Sequence, residues 1–102
     1  MKQRKTTKRR PKVDLKLFVA GSGSRSLRTI DSVKKACEKH APGRYQLCIV
    51  DIYLRPELAV EAQVVAVPTL IRELPKPLRM FVGVILDASD LDSQFGRQLE
   101  FG

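Results

Sequence analysis

Residues 13–19, VDLKLFV, alternate apolar and polar positions. Val13, Leu15, Leu17 and Val19 fall on one face and Asp14 and Lys16 on the other, a period of two that predicts a strand resting on a core. AGSGS at 20–24 has the composition of a turn. Beyond it Leu27, Ile30, Val33 and the pair Ala36/Cys37 recur at the spacing of one helical face, with Lys and Arg between them. They predict an amphipathic helix over 24–40. The Gly/Ser cluster caps its start, Lys39 and His40 complement the dipole at its end, and APG at 41–43 stops it.

YQLCIVDI at 45–52 is almost continuously apolar, a pattern that suits a central strand covered on both faces. Strand, helix and strand make a βαβ unit with a right-handed crossover and parallel strands. Residues 55–63 open on Pro56, suited to a first helical turn, and Leu58, Ala59 and Ala62 line one face of that helix. VVAVPTLIREL at 64–74 reads as a strand interrupted by Pro68. PKP at 75–77 is a turn and LRMFVGVIL at 78–86 a further strand. Residues 87–102 begin with acidic and Ser caps and place Leu91, Phe95 and Leu99 at i, i+4 and i+8, which predicts a terminal helix that Gly96 weakens. Short apolar runs beyond Leu54 fit helix and strand equally well. The order is β-α-β-α-β-β-α with the last two strands a hairpin, an α/β architecture arranged as in thioredoxin-like domains.

Composition sets the limits of this picture. A chain of 102 residues with 43% apolar residues supports one domain with one core. No apolar run is long enough to cross a bilayer, and no apolar segment follows the basic start as in a secretory signal. The expectation is a soluble, cytoplasmic protein. The net charge of +8 is uneven: residues 1–12 hold seven of the 19 basic residues and no acid. The expectation is a disordered basic tail over 1–12 and a nearly neutral domain over 13–102. A nucleic acid or an acidic lipid is the alternative partner for such an arm. No aromatic residue interleaves its charges to stack on bases.

Candidate chemistry is sparse. Cys37 and Cys48 fit neither a CxxC redox pair nor a zinc set, and both fall at apolar positions that predict buried small hydrophobes. His40 is the sole histidine, with no partner suggesting catalysis or metal binding. Thioredoxin-like domains carry a cis proline before the third strand, facing the start of the first helix, and Pro68 sits at that position. A cis Val67–Pro68 bond is therefore expected. The dithiol would lie at the start of the first helix, where the helix dipole lowers a thiol pKa. Gly23 and Ser26 occupy those two positions. The expectation is a scaffold without disulfide exchange.

LKLFVAG, S-LRTI, Y-L-IVDI, PELA, VPTL, LPKPLR and Gly83 run in order across residues 13–83. Together they resemble the KaiB family of circadian clock adaptors and the KaiB-like sensor domain of SasA kinases. The resemblance implies a non-enzymatic protein, without cofactor or metal, that docks on a ring-shaped RecA-type ATPase, KaiC or a KaiC-like protein. It also implies a metamorphic chain: an oligomeric ground state, dimer or tetramer, rearranges its second half, and a thioredoxin-like monomer binds the ATPase. Arg28, Glu57 and Gln63 would belong to the partner surface, Gly21, Asp51, Pro68 and Thr69 to the structural corner, and Gly83 and Asp87 to the switching region. The chain departs from the family pattern at Cys48, where a Lys is common, and at Val60, Ala62 and Gln63, where acids and a Lys are common. VILDASD after Gly83 is longer and more apolar than the family's segment there. These departures point to a divergent paralogue.

Overall fold

The computed structural model describes residues 12–82. The basic arm 1–11, the end of the last apolar run from Gly83, Asp87 and the terminal helix expected over 87–102 lie outside the described residues. Six elements follow in chain order: β1 (Val13–Val19), α1 (Ser24–His40), β2 (Tyr45–Asp51), α2 (Pro56–Glu61), β3 (Thr69–Leu74) and β4 (Arg79–Val82). The strands form one sheet in the order β2-β1-β3-β4. β1 pairs parallel with β2 and antiparallel with β3, and β3–β4 is the expected hairpin.

β1 is the spine of the fold. Its odd residues Val13, Leu15, Leu17 and Val19 are buried with Val33, Ala36 and Cys37 of α1 and Leu70 of β3. The opposite face carries a smaller cluster in which Phe18, Val50 and Ile71 meet Ala59 of α2, with Leu58, Ala62, Val64 and Val67 at its margin. The two helices thus cover opposite faces of the sheet. Burying side chains of this size stabilises by roughly 1.5–3 kcal/mol each, so the larger cluster dominates the core.

Four expectations need correction. β2 is an edge strand among the described residues, with Gln46, Cys48 and Ile49 exposed. A continuous apolar run does not distinguish a covered strand from an edge, so Cys48 is on the surface and only Cys37 is buried. Leu27 is 57% exposed, because the buried stripe of α1 runs through Ser26, Thr29 and Ser32 instead. These short side chains allow close packing, and the Thr29 hydroxyl donates a hydrogen bond to the Arg25 carbonyl at 3.0 Å. The start of α1 is capped from the Gly/Ser cluster as expected, by Gly23, without a side-chain hydrogen bond. Finally, residues 64–68 are not strand, and α2 stops at Glu61 because Gln63 takes a left-handed φ of 60°.

Candidate functional site

The C-terminal ends of the parallel strands β1 and β2 carry the starts of α1 and α2, so both helix N-termini lie at one end of the sheet. Asp51, the last residue of β2, organises this end. Its Oδ1 accepts the backbone N–H of Gly21 and that of Tyr53, each at 2.9 Å, and its carbonyl accepts from Leu54 and Arg55. Gly21 has φ +79°, and a Cβ there would lie 3.2 Å from Cδ2 and Cε2 of Tyr53. Glycine is therefore needed both for its backbone angle and for the close aromatic ring. From the β2 end of the βαβ unit, the Asp51 carboxylate and the Tyr53 ring both hold the β1–α1 loop at Gly21.

Beside this loop is a cleft of about 190 Å³ lined by Val19, Ala20, Gly23, Arg25, Ser26, Thr29, Val67 and Pro68. The Val67–Pro68 bond is cis, as expected, and so are Leu74–Pro75 and Lys76–Pro77. Thr69 is buried, and its Oγ1 donates to the Ala66 carbonyl at 2.6 Å, closing the turn that presents Pro68. Ser26 is also buried and donates to the Ala20 carbonyl at 3.1 Å, which ties the helix start to the end of β1. Its hydroxyl is committed to this backbone carbonyl. Cys37 is remote from this cleft, in the buried part of α1, where burial and the nearby Glu38 carboxylate push its thiol up to about 12. A thiol held protonated in this way is a poor nucleophile.

The three candidate partner residues are all exposed. Arg28 lies one turn into α1 and, with Ser24, Arg25 and Thr29, borders a shallow depression of about 480 Å³. Glu57 lies in the first turn of α2, where a carboxylate complements the dipole. The Arg55 Nε donates to its Oε2 at 2.9 Å, and this bond lowers the Glu57 pKa below its ordinary value. Gln63 follows α2, its N–H donating to the Val60 carbonyl at 3.0 Å. The structure brings Arg28 and Glu57 to the same end of the sheet but on helices of opposite faces. Tyr53 and Arg55 were not anticipated; the signal that could have found them is the tight turn required between β2 and Pro56. Among the described residues, no three His, Cys, Asp or Glu side chains gather as a metal would need, and no helix is long and apolar enough to cross a membrane.

The profile of the KaiB domain matches residues 16–95. The chain belongs to the KaiB family. The circadian clock oscillator protein KaiB of Prochlorococcus marinus subsp. pastoris is 38% identical over 73 residues, spanning 72% of this chain and 68% of the relative. That of Microcystis aeruginosa is also 38% identical over 73 residues, spanning 72% of this chain and 70% of the relative. Among solved structures, the N-terminal domain of Synechococcus elongatus SasA superposes with a TM-score of 0.66 at 21% identity, covering 97% of this chain and 90% of that domain. Chloroplastic thioredoxin z superposes at 0.65 and 19% identity, covering 86% of this chain and 79% of that one. The fold is thus thioredoxin-like, within a KaiB sequence family.

Proposed function

We propose that this chain is a non-catalytic, cytoplasmic adaptor of clock-type or stress signalling, which docks on a KaiC-like RecA-type ATPase through the end of the sheet where α1 and α2 begin. The observation that carries this reading is the thioredoxin-like cleft with Gly23 and Ser26 at the dithiol positions and the Ser26 hydroxyl bonded to Ala20. The scaffold for presenting a surface is intact, and the group for thiol exchange is missing from it. The relatives bear the name of circadian clock oscillator proteins, which supports a role in protein interaction rather than turnover. The resemblance drawn from sequence ties the thioredoxin-like arrangement to the ATPase-binding state, and residues 12–82 have that arrangement.

Arg28, Glu57 and Gln63 supply the exposed polar groups of this surface. Electrostatic groups at such a rim act mainly on the rate of encounter. The test is titration of the full chain against a purified KaiC-like ATPase, with insulin reduction measured in parallel. Saturable binding without reductase activity is the expected result. Turnover of insulin disulfides, or no binding to the ATPase in either nucleotide state, overturns the reading.

A further inference from the structure

We propose that the basic arm of this chain, residues 1–11, folds back onto the α2 side of the sheet and sets the cations of residues 8–10 against the carboxylates of Asp14 and Glu73. The lengths of the elements leave room for it. Asp14 and Lys16 share the face of β1 that carries Phe18. α2 has only six residues and packs over Phe18, Val50 and Ile71, at one end of that face. Toward the start of β1 the same face is open, and Gln46 and Cys48 are exposed there. Two depressions run along it, of about 220 Å³ beside α2 and about 150 Å³ beside Asp14. Both are lined by Lys16 and Glu73, so they form one groove.

The groove is acidic. Its described lining carries the carboxylates of Asp14, Glu61 and Glu73 against the single ammonium of Lys16. Lys16 Nζ lies 3.3 Å from Glu73 Oε2 and offsets one of the three. Asp14 Oδ1 is buried and has no hydrogen-bond partner. A buried carboxylate oxygen without a donor is costly and uncommon, so this end of the groove calls for a cationic donor.

Two segments of the chain lie outside the described residues, and charge and point of departure choose between them. Residues 1–11 hold six basic side chains and no acid, whereas residues 83–102 hold four acids and one base. The acidic groove attracts the first and repels the second. The arm joins β1 at Val13, beside Asp14. The segment from Gly83 leaves β4 at Val82, which pairs with Thr69, itself the partner of Phe18 at the far end of the groove. Pro11 has no N–H with which to extend the β1 ladder, which suits departure of the chain from the sheet at that point. At about 3.3 Å per residue, Asp14 to Phe18 spans about 13 Å and eleven residues reach about 36 Å, enough for a turn and the whole groove. Exposed ion pairs are individually weak. Tethering at Lys12 raises the effective concentration of the arm to the millimolar range, where several weak pairs suffice. The contact at Asp14 and Glu73 lies at the opposite end of the sheet from the proposed ATPase surface, so the two readings fail separately.

The test uses the full chain and a water-soluble carbodiimide, which joins a carboxylate to an amine in contact with it and takes up the water lost as the amide forms. Lys16–Glu73 is the internal control. The expected result, read by mass spectrometry on a mixture of isotopically heavy and light chains, is a within-chain link from Lys8 to Asp14 or Glu73. Its yield should fall at least about threefold at 1 M salt, where the screening length is about 3 Å. Amide NMR shifts give a readout without cross-linking. Reversing the charges of Lys8, Arg9 and Arg10 to Glu should move the Asp14, Gln46, Cys48 and Glu73 amides. Asp14→Asn with Glu73→Gln should move those of residues 8–10. A Lys8 link found only between chains overturns the proposal. So does a Lys16–Glu73 link with none from Lys8, or a set of groove amides indifferent to the charge of the arm, either of which would leave the arm to an external partner such as a nucleic acid.

Discussion

Asp51 and Gly21, thirty residues apart, are joined by a 2.9 Å hydrogen bond from the Gly21 N–H to the Asp51 carboxylate. The same oxygen accepts from Tyr53, whose ring packs over Gly21. Removing the acceptor in Asp51→Ala leaves two N–H groups unpaired and should cost about 1–3 kcal/mol. Asp51→Asn, which keeps an acceptor oxygen, should cost less. Gly21→Ala meets both the left-handed backbone and the Tyr53 ring, and should cost at least about 1–2 kcal/mol. Because the two sites share one contact, the double variant should fall short of the sum in urea denaturation. Additive losses would separate the two residues energetically.

Gln63 tests the end of α2. Its φ of 60° belongs to a region that favours glycine. Gln63→Gly should raise stability by roughly 1 kcal/mol while removing a side chain from the proposed partner surface. The expected protein melts higher and binds the ATPase less tightly. Unchanged binding would assign Gln63 to the turn alone.

For Arg28, the expectation concerns rate. Arg28→Glu should slow association with a KaiC-like ATPase about three- to tenfold at low salt, with the difference shrinking as salt is added. Stopped-flow or surface binding at two ionic strengths gives the measurement. An association rate identical to wild type at low salt removes Arg28 from the interface.

Cys37 gives the fold a defined alkaline limit. Its thiol titrates at about 12 in the folded chain against an ordinary 9.0. The folded state therefore holds this proton more tightly, and the associated stability is complete below pH 9.0 and lost as the pH rises toward 12. The slope in that window is up to about 1.4 kcal/mol per pH unit. Tyr45 adds a second decline at higher pH, because its hydrogen bond to Glu38 lifts the phenol from 10.0 to about 12. Urea midpoints of wild type and Cys37→Ala should converge as the pH is raised above 9.0. A constant gap between them would mean that Cys37 does not titrate with unfolding. In the folded protein, iodoacetamide should modify Cys48 and spare Cys37.

The parts of the fold that could be read from sequence are those where one residue pattern has one physical solution. The alternation of 13–19 has no helical counterpart, and the spacing of Ile30, Val33, Ala36 and Cys37 has no strand counterpart. Both elements occur where expected, with β1 and α1 bounded at Val13–Val19 and Ser24–His40. The edge position of β2 was not legible, because an apolar run does not record which strands flank it. The buried stripe of α1 escaped for another reason: Ser26, Thr29 and Ser32 are polar by type but small enough to pack closely. At the candidate site, the cis proline and the missing thiols were legible from Pro68, Gly23 and Ser26. The pairing of Asp51 with a backbone N–H was not, since glycine advertises a backbone angle and conceals the partner of its N–H.

The two unequal apolar clusters imply a hierarchy of opening. α2 has six residues and one buried residue, whereas α1 has seventeen residues, six of them buried, and closes the larger cluster. Local fluctuations concentrate where few apolar contacts resist them. The β1–α1–β2 unit can therefore stay folded through excursions that release α2 and the segment leading to Pro68. The boundary between the larger cluster and the α2 segment runs along the turn that Asp51 holds.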